Sequence, residues 1–460
     1  MARRLLDASV ADPVPPPFDA ETAGLRCAIA IPVRDDPAGL EATLQSIAET
    51  APRVRVVVVD DGSKMPVAER PHPYDTQTPR STATTATPAG PVEAMHRVLR
   101  RPEPGGPAAA RNTAWRSYAE ADRPDVVVFV DAGIVTIAGW LEKLLAHLTD
   151  PTVGAVAPRV LARTGQRTPK SISNYERHHS PIDMGPHPAV VRPASRVPYV
   201  PTAVLAIRTV ALEELGGFDE TLRFGEDVDL VWRVCKAGWR VRYEPSATVT
   251  HPDRETFPEW IRQRYNYGRS AAPLASRHGV AVAPLAVSGW SLGFWWLVGV
   301  GRLRAASALA AFTSVALAVK GTRRRPPAKQ SRERLLAVEL ARLALLGNLR
   351  SAAPITSALR RAWTLPAAIL LAVCWPMMRP RGRCFVSFSA AAVAVAPGVS
   401  DWWRHRHHGL GLLRWCSLRI ADDFAYQAGV WAGSFESRSA LALAPRFGTA
   451  NVTSSAARPV

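Results

Sequence analysis

The chain has 460 residues, enough for more than one folding unit, and sets 57 Lys+Arg against 39 Asp+Glu for a formal net charge of +18. No zinc-finger spacing or RNA-binding aromatic motif accompanies that charge, so nucleic acid is set aside in favour of an anionic membrane face and a phosphate-bearing substrate. Five scattered cysteines without a C-x-x-C speak against a disulfide framework and a structural zinc site.

Residues 1–24 contain Pro and Asp, show no periodicity and lack the apolar core of a signal peptide. They are expected to form a disordered arm on the cytoplasmic side. From Leu25, "LRCAIAIPV" and "RVRVVVVDDGS" are short β-branched runs that end in polar residues. Between them Leu40, Leu44, Ile47 and Ala48 recur at helical spacing. Strand, helix and strand at this length predict a parallel α/β unit, its strands covered on both faces. Residues 64–94, rich in Pro, Thr and Ala, are expected to be a flexible insertion. The stretch 95–121 is expected to be a loop leading into a helix. "DVVVFVDAG" supplies another buried strand and "GWLEKLLAHLTD" an amphipathic helix. A further strand, a turn at Gly216-Gly217, an acidic knot at 226–229, a helix and a strand ending at His251 follow.

Residues Gly279 to Gly301 carry no charge and are long enough to cross a hydrocarbon layer of about 30 Å. Three shorter uncharged runs, 305–319, 362–378 and 384–400, suit spanning, buried or interfacial helices. The basic stretch 320–334 fits a cytoplasmic flank, and the Trp-rich "SDWWRHRHHGL" fits a membrane interface.

Acidic residues recur at predicted strand ends: Asp35-Asp36, Asp60-Asp61, Asp131, and Glu226-Asp227 in the acidic knot. A single Asp there is ordinarily a helix cap or turn residue. Ligands of open α/β sheets, however, bind beyond the carboxyl ends of the strands, so the recurrence points to one crevice. Arg111, after a Gly-Gly-Pro loop at a helix start, is a candidate phosphate partner. After such a strand, a metal-holding nucleotide-diphosphate enzyme usually has Asp-x-Asp; here Asp131-Ala132-Gly133 stands instead.

"IAIPVRDDPAGLEATLQSI", "VVVVDDGS", "GPAAARNTA", "FVDAG" with "GWLEKLL", and "GGFDETLRFGEDVDLVWRVCKAGWRVRYEP" together resemble family 2 glycosyltransferases. "YGRSAAPLASRHGVAVAPLAVSGWSL" and "LRIADDFAYQAGVWAGSFESRS" extend the resemblance to the mycofactocin-system glycosyltransferases. The resemblance implies a GT-A fold over 25–275, a hydrophobic helical membrane-associated region over 279–400 and a juxtamembrane tail over 401–460. It further implies an inverting transfer of a hexose, glucose from UDP-glucose, to a hydroxyl of a peptide-derived redox cofactor, at the membrane with the catalytic domain facing the cytoplasm.

Residue by residue, the resemblance implies that Pro32, Arg34 and Asp35 border the base, Asp60 binds the uracil and Asp61 supports the ribose. Arg111 would contact base or diphosphate, and Asp131 ribose and metal. Asp227 would be the catalytic base with Glu226 beside it, and His251 a metal ligand. Mg²⁺ or Mn²⁺ would be held more weakly, because Gly133 replaces the second acid of the motif. The segment 256–278 is expected to cover the site, its Trp260, Tyr265 and Tyr267 stacking on sugars or packing against protein. Two rival readings share the donor site: a transferase for cell-envelope polysaccharide or lipid-linked glycan, and a catalytically impaired nucleotide-sugar-binding module.

Overall fold

The computed structural model describes residues 12–18, 24–67, 96–165, 167–323, 330–406 and 409–447, with the side chains of 321–335 excepted. Most of the expected arm, the insertion from residue 68, the centre of the basic stretch and the last residues of the tail lie outside them. The chain divides into two compact units after Phe257.

In the first unit the apolar runs become strands of one sheet: β1 (Cys27–Val33), β2 (Arg55–Asp60), β3 (His96–Arg100), β4 (Val126–Val130), β5 (Val135–Thr136), β6 (Val153–Arg163), β7 (Ala189–Val191), β8 (Val204–Arg208) and β9 (Arg240–Pro252). Their order is β3-β2-β1-β4-β8-β6-β9-β5, with β7 also on β9. The β3-β2-β1-β4 part is parallel. β8 enters antiparallel to both neighbours, so the whole sheet is mixed. All five residues of β4 are buried, as an all-apolar central strand requires.

The helices are α1 (Pro37–Thr50), α2 (Pro107–Arg116), α3 (Trp140–His147), α4 (Lys170–His179), α5 (Thr209–Leu215) and α6 (Glu226–Lys236). α1 starts where the sequence places it, because Pro37 opens the helix and the Asp36 carboxylate accepts from the Gly39 amide at 2.9 Å. α3 buries Trp140, Leu141, Leu144 and Leu145 along one stripe. The segment expected as loop before α2 is instead the edge strand β3. Its alternating His, Arg and Val fit a half-covered edge, unlike the all-apolar runs of the centre.

Strand order reverses at β1, with β2 on one side and β4 on the other, which is the topological switch point of such sheets. Val33 of β1 stands beside Asp60, and Asp60 beside Arg100. The polar ends of β1, β2, β3 and β4 therefore share one rim.

The second unit is helical: α7 (Phe257–Arg269), α8 (Ala271–His278), α9 (Gly289–Gly299), α10 (Leu303–Arg323), α11 (Gln330–Arg350), α12 (Ala352–Arg361), α13 (Thr364–Cys374), α14 (Pro380–Arg404) and α15 (Leu412–Glu436). Two stretches are long and apolar enough to cross a membrane, Leu303–Lys320 and Pro380–Arg404, both with mean hydropathy 1.4 and only 11% and 6% buried. The run Gly279–Gly301 is not one span. Pro284 and Ser288-Gly289 interrupt it, and the remaining α9 has 11 residues, about 16 Å of helix. Trp260 is fully buried with the Arg264 guanidinium 5.3 Å over its ring, so it packs within protein.

Backbone meets backbone where α7 crosses α15. A Cβ on Gly429 would lie 1.9 Å from the Tyr265 carbonyl oxygen, and one on Gly268 2.0 Å from that of Tyr426. Only glycine allows this approach. Gly429→Ala is expected to cost about 1–3 kcal/mol by overpacking, read as a lower thermal midpoint of the full-length protein in detergent. Gly347→Ala, where a Cβ meets nothing within 4 Å, should leave that midpoint unchanged or raise it.

Candidate active site

Asp60 and Asp61 end β2 and are buried. The Asp60 carboxylate accepts from the Ser63 amide at 2.8 Å and from the Arg100 guanidinium at 2.6 Å. Burial works against its charge, but the Ser63 and Val67 hydrogen bonds and Arg100 outweigh it and hold the carboxyl below its usual range. Asp61 accepts from Arg101 at 2.9 Å and from the amides of Gly105 and Gly106 at 2.9 and 2.7 Å. Both expected nucleotide-binding acids are thus engaged by the protein itself: Asp60 shapes the loop 61–67, and Asp61 fixes the entry to α2.

α2 carries this order to the other acids. Arg111 is buried, its side chain 4% exposed, and donates to Asp131 at 2.6 Å and to Glu226 at 3.0 Å. Its guanidinium lies 5.4 Å over the Phe218 ring, which meets Phe129 of β4 edge-on at 5.1 Å. Burial disfavours this cation, yet Asp131 and Glu226 more than offset that, and the Arg111 pKa is raised. Arg111 therefore faces inward, tying the end of β4 to the start of α6.

Asp227, half-buried, follows Glu226 in the first turn of α6, where its carboxylate accepts from the Val228 amide at 2.8 Å. Burial pushes its carboxyl up to about 7, and the Glu226 charge pushes the same way. At the end of β1, Arg34 and Asp35 are exposed and 3.7 Å apart, with Pro32 half-buried behind them. Asp35 has φ +53° and accepts from the Lys64 amide at 2.8 Å, which places it on the loop that Asp60 organises.

Gly133 adopts φ +92°, and a Cβ there would meet Pro252 at 3.2 Å. Its amide donates to Gly39 O and Thr43 Oγ1, and its carbonyl accepts from Arg163 at 3.1 Å. It offers a metal no ligand. His251 Nδ1 lies 2.8 Å from the Pro252 carbonyl oxygen, so that in a neutral ring with its proton on Nδ1 the lone pair sits on Nε2. Burial, then the charge of Arg254, lowers its pKa, and Asp131 is near enough to pull the other way. Among the described residues no three His, Cys, Asp or Glu side chains gather as a metal site.

Residues 25–267 match the family described as glycosyltransferase like family 2. The pre-mycofactocin glycosyltransferase of Mycobacterium tuberculosis, strains CDC 1551 and H37Rv, is 38% identical over 459 residues, covering 98% of this chain and 87% of that protein. The chain belongs to glycosyltransferase family 2, among its mycofactocin-type members. The human probable polypeptide N-acetylgalactosaminyltransferase 8 is 29% identical over 178 residues, 35% of this chain and 26% of that protein. A solved mannosyltransferase from Pyrobaculum calidifontis with GDP-Man and Mn²⁺ covers 85% of this chain and 90% of its own at 19% identity, with a TM-score of 0.38. That score is too low to carry detail across. The mixed sheet with helices on its faces is the GT-A fold of the family.

Three residues of this transferase's site escape a reading of the sequence alone. Arg100 ends the strand taken for loop, and Arg101 follows it. Asn112, beside Arg111, donates to the Phe218 carbonyl at 2.8 Å and to Glu220 at 2.7 Å, while its own carbonyl oxygen accepts from the Phe218 amide at 2.9 Å. Adjacent side chains of α2 thus clamp the loop 217–220 and the two acids. Arg111→Met leaves buried Glu226 and half-buried Asp131 without their cation and is expected to destabilise the first unit by about 3–5 kcal/mol, measured by denaturant unfolding. Arg116→Met, at a pair 50% and 43% exposed, should shift stability by less than about 1 kcal/mol.

Proposed function

We propose that this transferase moves a hexose, glucose from UDP-glucose, onto a hydroxyl of a peptide-derived redox cofactor of the mycofactocin kind, with inversion. The observation that carries the reading is the Arg111 bridge from Asp131 to Glu226, with Asp227 beside it. That bridge brings Asp131 and Glu226 to one buried guanidinium, which supports reading Asp131 as the donor-side carboxylate and Asp227 as the proton acceptor. The near full-length likeness to the pre-mycofactocin glycosyltransferase supports the acceptor class.

In this reading Pro32, Arg34 and Asp35 border the base, while Asp60 and Asp61 serve uracil and ribose through the loops they anchor. Asp131 faces the ribose and the diphosphate. Glu226, fixed by Arg111, holds donor or acceptor hydroxyls. Asp227 takes the proton of the acceptor hydroxyl as its oxygen bonds to the anomeric carbon from the side opposite UDP. The bond from that carbon to the diphosphate breaks, and its electron pair leaves with UDP. The apolar stretches in α10 and α14 anchor the enzyme, and the catalytic unit faces the cytoplasm.

Asp131 and His251 are the protein donors available to Mg²⁺ or Mn²⁺, and two donors fit only an ion shared with substrate phosphates. Bound there, the ion would supply positive charge to the departing diphosphate. Transfer is expected to fall away in excess chelator and to return on titration with Mn²⁺ or Mg²⁺. Undiminished turnover with chelator would remove the ion from the mechanism.

Asp227→Asn should cut transfer on the order of 10²–10⁴-fold while calorimetric UDP binding stays close to wild type. Because Asp227 acts deprotonated and its carboxyl titrates at about 7, kcat/KM should drop about tenfold per pH unit below that value. An activity plateau continuing down to pH 5, or near-normal turnover of Asp227→Asn, would exclude Asp227 as the base.

A further inference from the structure

A cavity of about 230 Å³ lies within the second unit, against the carboxyl end of α12. Ala358, Ala362, Val430 and Ala442 give it an apolar lining, and the charged side chain in its wall is Arg361. That guanidinium lies 4.0 Å over the Tyr426 ring, which also lines the cavity. Arg361 is 3.7 Å from Asp423 Oδ1, too far for a hydrogen bond. Asp423 is shared with Arg360, in direct contact, and Arg419 at 3.5 Å. Asp422, next to Asp423, pairs with Arg264 at 3.2 Å, and Asp401 adds a more distant charge on Arg360, so four arginines face three aspartates and positive charge is in excess.

The cavity stands at a bend. The apolar helix pair Leu336–Arg361 and Thr364–Met377 turns through 88° there, as a broken span or re-entrant segment does. Two tryptophans hold the turn: Trp431 Nε1 donates to the Ala362 carbonyl at 2.9 Å, and Trp363 Nε1 to that of Leu443 at 2.8 Å. Trp with its N–H satisfied is the residue of membrane–water boundaries. Beyond the bend α13 exposes Leu365, Ile369, Leu370 and Val373 along one face.

We infer that this cavity binds the headgroup of an anionic phospholipid. The phosphate meets Arg361, the glycerol fills the apolar-walled space, and the acyl chains run along the exposed face of α13. The volume equals roughly eight waters at about 30 Å³ each, which admits a headgroup but not its chains. A charge-assisted contact to a planar guanidinium selects anionic over zwitterionic lipid. This site is separate from sugar transfer and does not rest on the acceptor proposed above.

The test is native mass spectrometry of the full-length protein, purified in detergent and exposed to equal phosphatidylglycerol and phosphatidylcholine. Wild type should retain one phosphatidylglycerol in preference to phosphatidylcholine. Arg361→Ala, and independently the cavity-filling Ala358→Leu, should each lower that retention by at least about tenfold. Millimolar inorganic phosphate should not displace the lipid. Equal retention of the two lipids, unchanged retention in a folded Arg361→Ala or Ala358→Leu, or displacement by phosphate alone would overturn the inference.

Discussion

A guanidinium cannot be buried without carboxylates to answer it, and Arg111 is answered twice. Its two partners come from distant parts of the chain, one at the end of a central strand and one at the head of a helix. Desolvation makes the pairings directional: a side chain 4% exposed has no water to fall back on, so its fork fixes both acids in position. Phe218 over the guanidinium and Asn112 beside it hold the intervening loop against the same helix. The acid pair of α6 therefore stands at the crevice because α2 carries a cation that must be paired.

The rest of the rim repeats this principle. Asp60 pairs with Arg100 and Asp61 with Arg101, and each acid also accepts backbone amides. These acids spend their hydrogen bonds on shaping loops. Arg34, Asp35, the open side of Asp131 and half-buried Asp227 are the groups left at the surface. The distinction lies in partners and burial, since every one of these acids follows or faces a strand end in the same way.

This explains what was and was not legible in the chain. Continuous β-branched runs announce central strands because burial on both faces leaves no polar positions, and β1, β2 and β4 fall where the pattern puts them. Asp36 and Pro37 likewise mark the start of α1. β3 was hidden because an edge strand alternates and includes charged side chains, and with it went Arg100 and Arg101. The inward turn of Arg111 depends on Glu226, 115 residues away, and no local pattern encodes such a pairing. The uncharged run at 279–301 met the length for a membrane span, but Pro284 denies the backbone a continuous helix.

Gly133 shows how a departure from a motif can be structural rather than a loss. Its φ of +92° is one that a side chain resists, and Pro252 stands where a Cβ would point. Both of its backbone groups are committed, to α1 on one side and to Arg163 on the other. An aspartate here would crowd Pro252, whose carbonyl lies against the His251 ring nitrogen. The turn after β4 is thus built as a unit with the end of β9, and a side chain at 133 would press on the residue next to His251. Position 133 therefore contributes backbone geometry and no charge of its own, and Asp131 is the one acid that the turn keeps.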